Sequence, residues 1–279
     1  MNYRHAFHAG NFADCMKHAL LIWLLRALLR KPAPIFVLDS HAGRGRYDLS
    51  AGPAERTGEW HAGIARLLDD PPAALADLPA ALADFVGEVR AQGLYPGSPA
   101  LIRALLRDVD RMACCELHAE DAAALKIEFR GDPQVAVHRR DGWEALGALL
   151  PPAQKRGLVL IDPPYEDKAE FGHLAAGLRV GWLRFRTGVF AAWYPIKHRA
   201  PVRGFHTALA ESGIGDVVAA ELWLREPLDP TRLNGCGLLV INPPFGFELA
   251  AADILRALLD RLGTGEPGEG MQVIRLVDE

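Results

Sequence analysis

The stretch Gly157-Leu158-Val159-Leu160-Ile161-Asp162-Pro163-Pro164-Tyr165 decides the fold. Its first five residues carry no polar side chain and read as a short strand buried on both faces. Two prolines follow, and they forbid both helix and ladder pairing, so the strand must stop at once. Its last side chains then sit on a stiff turn at the carboxyl edge of a sheet, where open α/β folds receive their ligands. Outward from this point the same rhythm repeats. Ile35-Phe36-Val37-Leu38-Asp39, residues 112–118 and residues 135–138 read as earlier strands separated by helical segments, and residues 187–195, 217–224 and 237–241 as later ones. The pattern predicts an α/β chain with a seven-stranded, mostly parallel sheet. Residues 51–97 break the rhythm with an Ala- and Leu-rich helical pattern. They read as a small helical subdomain inserted into a main domain made of residues 1–50 and 98–279, with residues 1–11 as an N-terminal tail. Ser98 is expected to cap a helix over 99–107 with Pro99 in its first turn.

With 279 residues, half of them hydrophobic, the chain can bury one large core plus the insertion. No apolar run is long and charge-free enough to span a bilayer, and the N-terminus lacks a signal-peptide pattern, so a cytoplasmic location is expected. Cys15, Cys114, Cys115 and Cys236 have no C-x-x-C spacing and are expected as buried thiols. A formal charge of −4 exerts no global pull on nucleic acid. Affinity for a polyanion would have to come from local groups such as Arg44/Arg46, Arg139/Arg140, Lys155/Arg156, Arg184/Arg186 and Lys197-His198-Arg199 with Arg203, each of which also reads as solvated surface.

The residue types at 162–165 suit one kind of chemistry. A carboxylate and the Pro163 carbonyl, held close together, can accept both hydrogens of one exocyclic amino group, and Tyr165 offers a flat face for a base. The amine of adenine or cytosine is a poor nucleophile because its lone pair is delocalised into the ring. Two acceptors localise that lone pair while the aromatic ring stacks on the extruded base. Asn242-Pro243-Pro244-Phe245 has the same form and also follows an apolar strand. Counting strands places Asp162 after the fourth and Asn242 after the seventh, so the later copy reads as a structural strand exit.

Three further places could hold a ligand. Asp39 leads into Ser40-His41-Ala42-Gly43-Arg44-Gly45, a glycine turn that lets backbone approach a nucleotide, with His41 adding a side chain. Glu116 ends a strand where such folds hold a ribose diol. Asp141-Gly142 is a turn that can also present a carboxylate. The tail packs Tyr3, Arg4, His5, Phe7 and His8 into six positions. This suits a segment folding over a ligand, or equally one packing on its own domain. His5, His8, His18 and His41 lack recognisable ligand spacing, and no metal is expected.

The tetrapeptide resembles the (D/N/S)-P-P-(Y/F/W) signature of amino-methyltransferases that use S-adenosylmethionine. Residues 3–11, Lys17-His18, residues 38–47, Glu55-Arg56-Thr57-Gly58-Glu59, Tyr95-Pro96-Gly97-Ser98-Pro99, residues 160–165 and Trp193-Tyr194-Pro195 together resemble the bacterial 23S ribosomal RNA adenine-N6 methyltransferase family known as RlmJ. The likeness spans the whole chain. It implies a Rossmann-like methyltransferase fold, S-adenosyl-L-methionine as methyl donor and an adenine of 23S ribosomal RNA as acceptor and partner; the chain is further expected to be a monomer that binds neither membrane nor metal. It also implies that His18, His41, Ser98, Glu116, Asp141, Gly142 and Asp162 hold the cofactor, that Asp162 is catalytic and that Tyr3 meets the RNA; the residue types add Gly43 to the cofactor turn, Pro163 and Tyr165 to the catalytic turn, and Arg4, His5 and Lys17 to the RNA side. A DNA adenine-N6 or cytosine-N4 methyltransferase would use the same turn, but no target-recognition domain of the usual size is visible. A non-catalytic cofactor-binding scaffold would be expected to lack Asp162.

Overall fold

The computed structural model describes residues 5–167 and 169–278. Strands β1 (Phe36–Asp39), β4 (Arg111–Cys115), β5 (Val135–His138), β6 (Gly157–Ile161), β7 (Val189–Ile196), β8 (Val217–Trp223), β9 (Gly235–Ile241) and β10 (Gly270–Val277) form one eight-stranded sheet. A two-residue ladder joins β2 (Arg46–Tyr47) to β3 (Tyr95–Pro96). The main sheet runs β10-β8-β9-β7-β6-β1-β4-β5. From β5 to β7 every pairing is parallel, while β9 is antiparallel to both β7 and β8, and β10 is antiparallel to β8. The chain moves outward from β1 through β4 to β5 and then returns to lay β6 on the other side of β1. That reversal opens a crevice beyond the carboxyl ends of β1 and β6, and both Asp39 and Asp162 stand there.

The β6 run is buried at all five positions, and its side chains alternate between two cores. Leu158 and Leu160 join the cluster beneath α1 (Phe12–Leu29), whereas Val159 and Ile161 join the opposite cluster. Helix α1 is enclosed on most sides, with Leu20, Leu21, Ile22, Leu24 and Leu25 at 0% exposure. Each such side chain contributes about 1.5–3 kcal/mol of burial. Asn11 caps its start, its Oδ1 accepting from the amides of Ala13 and Asp14 at 3.0 Å.

The insertion holds α2 (Gly52–Thr57), α3 (Ile64–Leu68) and α4 (Ala80–Ala91), with 3₁₀ turns at Glu59–Ala62 and Pro72–Asp77. The β2–β3 ladder ties its two ends together. Its apolar residues Ile64, Leu67, Leu82, Phe85 and Val86 belong to the same cluster as α1 and the sheet, so the segment inserted in sequence shares the main core. Helices α5 (Ser98–Leu105), α6 (Ala119–Glu128), α7 (Gly142–Ala148), α8 (Glu170–Arg184), α9 (Arg199–Ala210) and α10 (Phe247–Leu262) complete the layers; α7, α8 and α9 cover the face opposite α1. All four cysteines are free and buried. Among the described residues no helix is long and apolar enough to cross a membrane.

Two local expectations are corrected. The sheet has an eighth strand, β10, beyond the seven expected. An edge strand at intermediate burial over most of its length shows no apolar/polar alternation to betray it. Ser98 is not a cap: α5 begins at Ser98, and the Ser98 hydroxyl donates instead to Asp39 Oδ2 at 2.7 Å.

Candidate active site: two clefts joined at Asp162

Past Ile161 the prolines offer no N–H to a neighbouring strand, so the chain leaves the sheet. Pro163 is buried, Asp162 and Pro164 are half-buried, and Tyr165 takes a left-handed backbone conformation at φ +51°. That region is costly for a bulky side chain and is held only where the surroundings enforce it. Here the Tyr165 hydroxyl donates to the Trp193 carbonyl at 3.0 Å. Its ring stands edge-on to Phe171 and Trp193, with centroids 5.3 and 5.7 Å away.

Asp162 meets a partner from the other end of the chain. Lys17, on α1 and only 4% exposed, places Nζ 2.5 Å from Asp162 Oδ2 and 2.8 Å from Asp14 Oδ1. Asp14 Oδ2 also accepts from His5 Nε2 and the Gly10 amide, both at 3.0 Å. Burial penalises the Lys17 ammonium, but the two carboxylates outweigh that cost and hold its pKa well above the ordinary lysine value. Burial would also raise the Asp14 pKa, but the charges of His5 and Lys17 hold it well below the usual carboxylate range. Lys17, expected against RNA, lines the wider cleft and has its charge balanced within the protein by these two carboxylates. Asp14 was not singled out from sequence, although its i,i+3 spacing to Lys17 on α1 was readable.

A narrow cleft of about 130 Å³ opens on one side of Asp162. Its wall gathers His41, Gly43, Ser98, Glu116, Asp141, Gly142 and Asp162, all singled out in the sequence, together with Tyr47, Trp143 and Glu170, which were not. The Glu116 carboxylate is clamped by the amides of Gly43 at 2.9 Å and His118 at 2.7 Å, and burial raises its pKa despite those bonds. Asp141 Oδ1 accepts from the Trp143 amide at 2.7 Å and so caps α7. Burial lowers the His41 pKa to about 4, which leaves a neutral imidazole bonded to the Ser40 hydroxyl at 2.8 Å and edge-on to Trp143. Asp39, fully buried beneath Ser98, is pushed by burial up to about 7.

Gly142 has no substitute in this wall. A Cβ there would meet the Ser40 carbonyl at 2.3 Å and the His41 ring at 2.6 Å. Gly142→Ala is expected to cost about 1–3 kcal/mol of stability by overpacking, measurable by urea unfolding; an unchanged midpoint would rule out so close an approach of α7 to the β1 turn.

His18 lines neither cleft. It is fully buried, its Nδ1 3.0 Å from the Tyr95 hydroxyl and its ring near Phe85, and burial lowers its pKa to about 3. Expected at the cofactor, His18 is not among the residues that line either cleft.

On the other side of Asp162 lies a wider cleft of about 820 Å³. His5, Lys17, Asp162 and Pro164 line both cavities, while Tyr165, Trp193 and Pro195 line only the wider one. The tail side is tied down by Glu59 of the insertion, which bonds His8 and Asn11 at 3.0 Å each. Tyr3 and Arg4, also expected at the RNA, lie outside the described residues. Among the described residues no group of three or more His, Cys, Asp and Glu is placed to hold a metal ion.

The second tetrapeptide stands at the opposite edge of the sheet. Because β9 is antiparallel to β7, Ile241 pairs with Phe190 at the start of β7. The Asn242 amide donates to the carbonyls of Arg186 at 2.8 Å and Gly188 at 2.7 Å. It secures a strand entrance and lines neither cleft.

Comparison with known proteins agrees with this geometry. A family described as ribosomal RNA large subunit methyltransferase D, RlmJ, matches residues 32–274. The ribosomal RNA large subunit methyltransferase J of Escherichia coli K12 is 39% identical over 274 residues, covering 95% of this chain and 96% of that protein. Its Haemophilus influenzae counterpart is 38% identical over 275 residues with the same coverage. A solved structure from Legionella pneumophila, 33% identical, superposes with a TM-score of 0.85 over 96% of this chain and 98% of that one. A match of this extent means that the chain belongs to the RlmJ family of ribosomal RNA large subunit methyltransferases.

Proposed function

We propose that this chain methylates the N6 amino group of one adenine in 23S ribosomal RNA with S-adenosylmethionine as donor, working as a monomer in the cytoplasm. The observation that carries this reading is the presence of Asp162 in the walls of both clefts. One carboxylate stands where a donor held on one side and an acceptor held on the other must meet.

The narrow cleft fits the donor. Glu116 and Asp141 follow successive strands, where a ribose diol and an adenine amine can be held, and Ser98 and His41 add neutral polar groups. Gly43 and Gly142 let the cleft wall close tightly on itself, since a Cβ at either would meet a protein neighbour, the Tyr47 hydroxyl or the Ser40 carbonyl, at 2.3 Å. Bound there, S-adenosylmethionine supplies an electrophilic methyl group. On the wider side the chain prepares the amine. Lys17 occupies Asp162 Oδ2, which leaves Oδ1 to accept one amine hydrogen while the Pro163 carbonyl accepts the other, and the Tyr165 ring receives the base face. With Oδ2 paired to Lys17, Asp162 works as an acceptor that localises the nitrogen lone pair, and the amine proton passes to Oδ1 only after methyl transfer. His5 borders the RNA side, tied to the same network through Asp14.

Glu116→Ala is expected to weaken S-adenosylmethionine binding by about 1.5–3 kcal/mol, the worth of hydrogen bonds to a charged group. Calorimetry giving wild-type affinity would remove Glu116 from the donor site. The function itself is tested with purified protein, labelled S-adenosylmethionine and unmodified 23S ribosomal RNA, the product base being mapped by mass spectrometry. N6-methyladenine at one position is the expected result; label in another base, or none, overturns the reading.

A further inference from the structure

The wider cleft extends well past the turn that would receive a base. Its far wall starts on β7, where Trp193 and Pro195 alternate toward it and Lys197 continues the same period just beyond the strand. Thr231, Arg232 and Leu233, from the loop between β8 and β9, complete that wall. Buried Asn234 fastens the two segments side by side. Its Nδ2 donates to the Lys197 carbonyl and to the Asp229 carbonyl, both at 2.7 Å, so the backbones carrying Lys197 and Arg232 are held in fixed relation.

The charges of this cleft are mostly spent on each other. Lys17 serves Asp14 and Asp162, His8 serves Glu59, and Arg225 serves Glu266 from 3.2 Å. Lys197 and Arg232 differ. Both side chains are exposed, and among the described residues neither forms an ion pair, although Asp229 lies near enough to Arg232 to feel its charge. Passing outward from Asp162, the wall therefore presents aromatic faces at Tyr165 and Trp193 and then two uncommitted cations. Stacking surface followed by positive charge is how a single strand is held: bases lie on rings while phosphates meet cations. In a chain of net charge −4, such a local pair is where a polyanion gains purchase.

We propose that Lys197 and Arg232 form a phosphate subsite that holds the RNA strand flanking the target adenosine, with Asn234 fixing their spacing. The proposal rests on the RNA-methylation reading and says where the strand runs. Lys197→Gln/Arg232→Gln in the full chain provides the test, with Arg179→Gln, an exposed cation on α8 lining neither cleft, as control. Affinity for an unmodified 23S ribosomal RNA transcript is measured across a range of KCl concentrations, alongside the single-turnover rate at saturating RNA. Each lost phosphate contact lowers the slope of log affinity against log salt by about 0.7–0.9. The double variant is expected to lose roughly 1.4–1.8 from the slope, bind more weakly at low salt, and keep the wild-type rate once saturated; the control should match wild type. Equal slopes for wild type and double variant would overturn the subsite, as they would if an acidic protein rather than RNA used this wall. A slope that falls equally in the control would overturn it too. A wild type that binds RNA but does not methylate it counts against the methylation reading instead, and the slopes still decide the subsite.

Discussion

Asp162→Ala is expected to lower the single-turnover methylation rate by roughly 10²–10³-fold, the usual cost of removing one preorganised partner of a transition state. Asn242→Ala should leave that rate nearly unchanged. The two residues open tetrapeptides of the same form, so local chemistry does not separate them; their places in the sheet do. Asp162 follows β6 at the crevice beside β1 and enters the walls of both clefts. Asn242 follows a reversed strand and spends its amide on two backbone carbonyls at the far edge. Removing the Asn242 side chain leaves those carbonyls without a donor, so its effect belongs to stability, about 1–3 kcal/mol. Both variants are first checked by unfolding curves, and rates are compared only between folded proteins. A slow Asn242→Ala beside an active Asp162→Ala would move the active site to the other end of the sheet.

The second large effect is on stability. Lys17→Met should destabilise the fold by about 3–5 kcal/mol, because it leaves the Asp14 and Asp162 carboxylates facing one another without their shared cation. A methionine of similar length removes charge without opening a large cavity, so the loss reports on the ion pair. The sign of the pH dependence follows from the two partners. Asp14 has a folded pKa well below its unfolded value, so its contribution is present above about pH 4 and is lost as pH falls through the folded value. Lys17 has a raised folded pKa, so its contribution is complete below about pH 10 and is lost only as pH rises through that higher value. Wild-type stability from this pair should therefore be flat between those limits and decline in acid. In Lys17→Met the Asp14 pKa rises toward normal, and acid unfolding should begin at higher pH. Urea titrations at several pH values measure this; a variant with wild-type stability and the same acid limb would mean that the Asp14–Lys17–Asp162 chain is not formed in solution.

The same chain of contacts gives the N-terminal segment its meaning. His5 reaches Asp162 through Asp14 and Lys17, and the insertion holds the segment in place through Glu59. A change at the tail therefore alters the electrostatics around Asp162 without touching it.

What the sequence determined by itself were the features encoded over a few neighbouring residues. The apolar run of β6 and its two prolines mark a strand and its end. The strand–helix rhythm implies an α/β sheet, and counting strands already separates Asp162 from Asn242. Gly43, Glu116 and Asp141-Gly142 were legible because a ligand crevice in such a sheet is built from strand ends, which short motifs announce. What only the tertiary structure decided were partnerships between distant residues. Lys17 and Asp162 lie 145 positions apart, so only the fold shows that this cation is also a buried counterion. Ser98 reads as a helix cap until Asp39, 59 positions earlier, lies within 2.7 Å of its hydroxyl. The neighbours of His18, Phe85 on α4 and Tyr95 on β3, are likewise brought to it only by the fold. In each case the polar group follows whichever partner survives exclusion of water, because an unpaired buried charge or donor costs more than a local preference returns. That choice is made by packing, which short-range pattern does not encode.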